Sequence, residues 1–386
     1  MNIEPIHHAP PPEEITARIG RLQVLMEERK LDYYVSFSTD NIYYLTNFAN
    51  YVHERPFVLV IPVRGTPHFV VPRLEIPHVL ARAIGKLHLV EYLEFPARDG
   101  ENWFDRLGDI LRDAKQVGVE SICPLQIYEA ITAQCVRTDL IDDLRMIKSP
   151  YEMGRMVHAA QIATDAMADL LANARPGRTL QEVSAAGSRF MFERLRTDSP
   201  SLNILATKIL SVFQPRSVAH DPHNFTDLDM VMEAGGPHVS VLNAVMNGYG
   251  TEIERTFFLG HVPEEAKRPY EVMMEARRLT FELTRPGTPM SEVDKKVAEV
   301  IVTAGYENGL LTRTGHGMGV TAHEGPFLAE GDRRILQPGM SFTIEPGIFL
   351  PGIGGFRHSD TILLTEKGNI SLTYAPDSLE DMTLDI

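Results

Sequence analysis

The sequence predicts an α/β N-terminal domain over residues 1–143 and an α+β C-terminal domain over residues 144–386 that contains an internal pseudo-twofold repeat. Three observations lead there. At 386 residues the chain is longer than one hydrophobic core usually spans. Around Asp142 to Pro150 short β-rich runs give way to long amphipathic helices, and Lys148-Ser149-Pro150 reads as a cap and helix start. Beyond that point two segments present the same motifs in the same order.

The residues before Pro12 are proline-rich and read as loosely held. Ile15, Ile19, Leu22 and Met26 then recur at helical spacing and predict a helix over about Glu13 to Lys30. Tyr33 to Phe37, Phe57 to Val63, Phe69 to Pro72 and Leu87 to Leu93 are short β-rich runs, separated by helical pieces such as Trp103 to Ala114. The loop from Asn47 to Pro56 mixes aromatic and charged residues. Its Arg55 has the planar fork that grips a substrate carboxylate, and reads equally as a surface arginine in a rim salt bridge.

In the second half, Pro150-Tyr151-Glu152 opens a helix that ends at Arg175-Pro176-Gly177-Arg178, and a second helix carries Glu182-Val183. Pro269-Tyr270-Glu271 opens another, ending at Arg285-Pro286-Gly287-Thr288, and its successor carries Glu292-Val293. Glu233-Ala234-Gly235 leads into a strand ending at Asn243, as Gln337-Pro338-Gly339 leads into one ending at Glu345; Gly248 to Thr256 has its counterpart in Gly354 to Thr361. Two helix-helix-strand-strand halves predict a sheet with helices on one side, and active residues where the halves meet.

Composition narrows the function. A formal charge of -15 with no basic run argues against nucleic acid and anionic membranes as partners. Cys123 and Cys135 are too few for a disulfide framework or a thiolate metal site, and the sequence shows no signal-peptide pattern, so a cytoplasmic location is expected. The longest apolar runs have strand length, which predicts no membrane span.

The chemistry concentrates on Gly248 to Thr256. Strand periodicity of two puts Glu252 and Glu254 on one face and Ile253 on the other, and the apolar continuation through Phe257-Phe258-Leu259 draws the strand into a core. Alone, Glu-x-Glu fits an exposed, salt-bridged edge better. It is not alone: Gly315-His316-Gly317-Met318-Gly319, His323-Glu324-Gly325-Pro326, Ile344-Glu345-Pro346-Gly347 and Pro222-His223-Asn224 supply further histidines and glutamates in repeat order. Such a set suits proton transfer at a polarised carbonyl or amidine carbon.

From about Leu144 onward the chain resembles the pita-bread family of creatinase, prolidase, aminopeptidase P and methionine aminopeptidase, through Gly-His-Gly-Met-Gly, His-Glu-Gly-Pro, Thr-Ile-Glu-Pro-Gly and Arg-x-x-Asp-Thr-x-Leu-Leu-Thr. The N-terminal domain is similar to the creatinase/prolidase N-domain in length and strand order. In the metallopeptidase members the resemblance implies two Mn, Co, Zn or Fe ions on two Asp, one His and two Glu. Those positions fall at Asn243, Glu252, His316, Glu345 and Ser359, of which only His316 and Glu345 match. Neutral Asn and Ser supply no anionic oxygen, so two metals are not expected; a single ion on Glu252, His316 and Glu345 is the remaining metal option. Ile253-Glu254-Arg255-Thr256 resembles instead the Leu-Glu-Arg-Thr of metal-free creatinase. By that match His223 is the general base and acid, Glu254 and Glu345 bind substrate, and His316 and His323 stabilise the tetrahedral intermediate. Arg55 lies near the place of a creatinase arginine that holds substrate carboxylate across a homodimer. His53 and Phe327 depart from creatinase's pattern, so creatine itself is not the expected substrate.

The reading is thus a creatinase-like hydrolase of a non-peptide C–N bond in a small carboxylate-bearing molecule, with no cofactor, working as a homodimer. Its catalytic residues are His223, Glu254, Glu345, His316 and His323, and Arg55, Glu252, Asn243 and Ser359 bind substrate. The alternatives are a metal-dependent Xaa-Pro dipeptidase or aminopeptidase with an altered site, and a catalytically inactive pita-bread binding protein.

Overall fold

Residues 3–51, 53–199 and 201–386 are described by a computed structural model. The chain divides into one unit of Ala9–Arg145 and a second of Met146–Ile386, which the segment up to His8 joins.

In the first unit Ile15, Ile19, Leu22 and Met26 form the buried stripe of the Pro12–Glu28 helix, which opens on a proline whose missing N–H has no partner to lose. Six strands follow: β1 (Tyr33–Ser36), β2 (Val58–Pro62), β3 (His68–Pro72), β4 (His88–Tyr92), β5 (Gln116–Val119) and β6 (Gln134–Arg137). They form one sheet in the order β4-β3-β2-β1-β5-β6, antiparallel at β1–β2 and β2–β3 and parallel elsewhere. Val58, Val60, Val70, Val117 and Val119 pack against Trp103, Leu107 and Leu111 of the Trp103–Leu111 helix.

The second unit is built on β7 (Lys208–Gln214), β8 (Gly235–Met246), β9 (Tyr249–Leu259), β10 (Gly315–Gly317), β11 (Glu324–Leu328), β12 (Ser341–Ile344), β13 (Gly347–Leu350), β14 (Gly354–Arg357), β15 (Ser359–Thr365), β16 (Gly368–Ser371) and β17 (Thr383–Leu384). The main sheet runs β11-β10-β12-β15-β9-β8-β7, with β16 on β15 and β17 on β9, while β13 and β14 pair separately. Four long helices, Pro150–Asn173, Leu180–Asp198, Glu264–Leu283 and Met290–Thr303, share its apolar core.

The repeat is visible in the backbone bonds. Gly177 N–H donates to Met232 O and Leu180 N–H to Met230 O; in the other half Gly287 N–H donates to Leu336 O and Met290 N–H to Arg334 O. The halves meet where β9 pairs with β15, Glu254 opposite Ser359 and Ile253 opposite Asp360. Arg255 fastens this seam from below, reaching Asp360 Oδ2 at 3.0 Å, and Arg277 shares the same carboxylate.

Three local expectations need correction. The segment before Pro12 is held at Ile6 and His8: Ile6 N–H donates to Gly154 O, and both Tyr151 Oη and Arg155 donate to His8 O, each at 2.9 Å. Gly154 permits that approach, since a Cβ there would lie 2.6 Å from Ile6 Cγ1. The third long helix starts at Glu264 rather than Pro269, because Glu264 and Glu265 favour a helix N-terminus and Pro269 forgoes only one bond near it. The Gly354 to Thr361 strand breaks at His358, whose buried ring accepts from Thr256 N–H through Nδ1 and meets Tyr270 Oη through Nε2. Burial holds that imidazole neutral, well below its ordinary pKa.

Candidate active site

Glu252 and Glu254 stand two residues apart on β9 and face the same way, both buried. Across the ladder Asn243 of β8 lies opposite Glu252, and Val241 opposite Glu254. Asn243 Nδ2 donates to Glu252 Oε2 at 2.6 Å and Ser359 Oγ to Oε1 at 2.7 Å, so both oxygens of Glu252 are held by neutral donors. Glu254 has a different partner. Arg357, at the end of β14, donates from Nη2 to Glu254 Oε1 at 2.8 Å, and its Nε is in ion-pair contact with Oε2.

Glu345 follows β12 directly and accepts from Thr343 Oγ1 at 2.9 Å. His316 comes from β10, whose flanking glycines are required by close backbone packing: a Cβ on Gly315 would lie 2.1 Å from Thr343 O, and one on Gly317 2.2 Å from Gly325 O. The His316 ring turns Nδ1 to Gly317 O at 3.1 Å, an atom that only accepts, so Nδ1 carries the proton. Nε2 then faces Glu345 Oε1 at 3.1 Å and Glu252 Oε2 at 3.8 Å. His323 stacks on His316 with ring centroids 3.7 Å apart and leaves its outer edge exposed.

These groups line a cavity of about 240 Å³, to which Leu210, Phe225 and Val241 contribute apolar lining, and His223 is exposed. The cavity holds more negative charge than Arg357 offsets. Burial raises Glu254 well above the usual carboxylate range; Arg357 opposes this, and Glu252 and Glu345 add to it. Burial and then the charge of Glu252 likewise raise Glu345. Burial acts on Glu252 too, but His316, the Ser359 hydroxyl, Arg357 and Asn243 together hold it below the usual range. Burial and then the neighbouring His316 push His323 down to about 4, so its imidazole is neutral near pH 7.

The structure therefore gathers His223, Asn243, Glu252, Glu254, His316, His323 and Glu345 around one cavity, with Ser359 behind Glu252. Arg55 belongs to the first unit, where its guanidinium is engaged by Glu54 at 2.7 Å and by Glu94. Arg357 was missed as a site residue. Its signal was a lone arginine next to the strand that pairs with Glu-x-Glu, the natural counter-charge for a buried acid.

Residues 154–366 match the metallopeptidase family M24, and residues 18–148 match the creatinase/prolidase N-terminal domain. The chain belongs to the metallopeptidase family M24. An Xaa-Pro dipeptidase of Pyrococcus furiosus is 28% identical over 362 residues, covering 92% of this chain and 97% of the relative. A probable dipeptidase, PepE, of Mycobacterium tuberculosis is 27% identical over 350 residues, 87% of this chain and 88% of the relative. The crystal structure of the prolidase from Pyrococcus horikoshii OT3 superposes with a TM-score of 0.82 at 25% identity, covering 94% of this chain and 99% of that one. The M24 chain thus has the creatinase N-terminal domain followed by the pita-bread domain, and is a hydrolase of C–N bonds.

Two expectations are overturned. The creatinase-like reaction on a non-peptide bond gives way to peptide chemistry, since the resemblance to Xaa-Pro dipeptidases spans nearly the whole M24 chain while the creatinase match rested on a few local positions, Ile253-Glu254-Arg255-Thr256 and Arg55 among them. The absence of a cofactor is overturned by membership of a metallopeptidase family and by the side chains themselves. Glu252 with His316 and His323, and Glu252 with Glu254 and Glu345, each bring potential ligand atoms within 4.8 Å of one another. Among the described residues no helix is long and apolar enough to cross a membrane.

Proposed function

We propose that this M24 hydrolase is a metal-dependent dipeptidase that cleaves the C–N bond of small Xaa-Pro substrates, with a metal site altered from the family's five-ligand set. The observation that carries the reading is the His316 arrangement: Nδ1 is committed to Gly317 O, which turns Nε2 toward two buried carboxylates. A metal-ligating histidine is commonly oriented by this kind of backbone bond. His316, Glu252 and Glu345 fit a divalent ion by donor chemistry. When bound, the ion supplies Lewis acidity that polarises the scissile carbonyl and eases deprotonation of the attacking water.

The chain's own residues supply the rest. Leu210, Phe225 and Val241 offer an apolar wall suited to a pyrrolidine ring, and a cavity of about 240 Å³ limits the substrate to a small molecule. His223, which also lines the cavity, would hydrogen-bond the substrate and pass a proton from Nε2 or Nδ1 to the leaving nitrogen. The experiment is a steady-state assay of Xaa-Pro dipeptides, read as released proline, on wild type and His223→Ala. The variant should lose roughly a hundredfold in kcat with an unchanged thermal melt. No cleavage of any Xaa-Pro dipeptide by the metal-supplemented wild type would remove the dipeptidase reading; near-normal turnover in the variant would remove His223 from the chemistry.

We further propose a homodimer, on the similarity to creatinase and prolidase. Light scattering should give twice the chain mass, and a fully active monomer at assay concentration contradicts it.

A further inference from the structure

We infer that the site is mononuclear: it takes one divalent transition ion, on Glu252, His316 and Glu345, and Arg357 fills the role of a second positive charge. This rests on the metal-dependent reading above and goes beyond it in the number of ions and their ligands.

Two independent observations carry the inference. The first is spacing. His316 Nε2 lies 3.1 Å from Glu345 Oε1 and 3.8 Å from Glu252 Oε2. Ligands about 2.1 Å from a shared tetrahedral ion stand roughly 3.4 Å apart. Both separations from His316 Nε2 lie near that value. The second is charge. The cavity contains three buried carboxylates and one buried guanidinium. Glu254 and Arg357 neutralise each other in direct contact, which leaves Glu252 and Glu345 to balance one doubly charged ion. A second ion would bring two further positive charges into a buried site with no anion to meet them, because Asn243 and Ser359 are neutral and already donate to Glu252.

The test counts ions. Chelator-stripped full-length protein is titrated with Mn2+ or Zn2+ by calorimetry, and bound ions are counted by native mass spectrometry. Wild type should bind one ion per chain. His316→Gln and Glu345→Gln should each weaken Kd at least tenfold, with circular dichroism and melts confirming the fold. Glu254→Gln should still bind one, since Glu254 answers Arg357 rather than the ion. Two ions per chain, or loss of binding in folded Glu254→Gln, overturns the mononuclear site while leaving metal-dependent hydrolysis standing. No binding at millimolar ion overturns both. One ion per chain with no cleavage of Xaa-Pro dipeptides sustains the mononuclear site and ends the dipeptidase reading.

Discussion

Arg357→Met should destabilise the protein by about 3–5 kcal/mol, because it strands a buried carboxylate without its counter-charge. Arg357 is 5% exposed and its Nη2 donates to Glu254 at 2.8 Å. Methionine preserves much of the volume and apolar contact of the arginine stem, so packing loss contributes little to the change. The cost comes from Glu254, which must then keep an unpaired buried charge beside Glu252 and Glu345 or take up a proton. The double variant Arg357→Met/Glu254→Gln should recover most of the loss, since both members of the pair are then neutral. Urea unfolding of the metal-free protein at pH 7 measures both. If Arg357→Met falls within about 1 kcal/mol of wild type, the range of a surface pair, the buried ion pair is not a structural element of the site.

Much of this site was legible in the chain. Period two placed Glu252 and Glu254 on one face, and the paired motifs of the second half announced a pseudo-twofold unit whose halves meet at β9 and β15. The glycines on either side of His316 meet backbone oxygens of other elements, Thr343 O and Gly325 O, which the structure supplies. What sequence could not supply was pairing across elements. Nothing local says that Asn243 and Ser359 spend their donors on Glu252, or that Arg357 is committed to Glu254, because those contacts depend on the register of β8, β9 and β15 and on the β13–β14 hairpin. That gap steered the chemistry wrongly. With Asn243 and Ser359 read as departures from the metal pattern and as substrate contacts, two metals were not expected and a single ion was kept only as the remaining option. With the contacts in view, they hold Glu252 in place beside His316, and Arg357 removes one of three acids from the charge balance. The four-residue strands β5 and β6 were passed over for a simpler reason: runs that short carry too little periodicity to stand out.

The central claim, metal-dependent hydrolysis of an Xaa-Pro bond at the β9–β15 seam, is tested most directly by withdrawing and restoring the ion. Lewis-acid stabilisation is worth several kcal/mol of transition-state charge, and each 1.36 kcal/mol is tenfold in rate, so removal should cost about a thousandfold or more. Steady-state kcat/KM on an Xaa-Pro dipeptide is measured for protein as purified, after exhaustive chelation, and after addition of Mn2+, Co2+ or Zn2+, with Glu252→Gln treated in parallel. The account predicts that chelation abolishes cleavage, that one of the ions restores it in wild type, and that none restores it in Glu252→Gln. Undiminished cleavage by the chelated protein, with elemental analysis showing no residual metal, would contradict it.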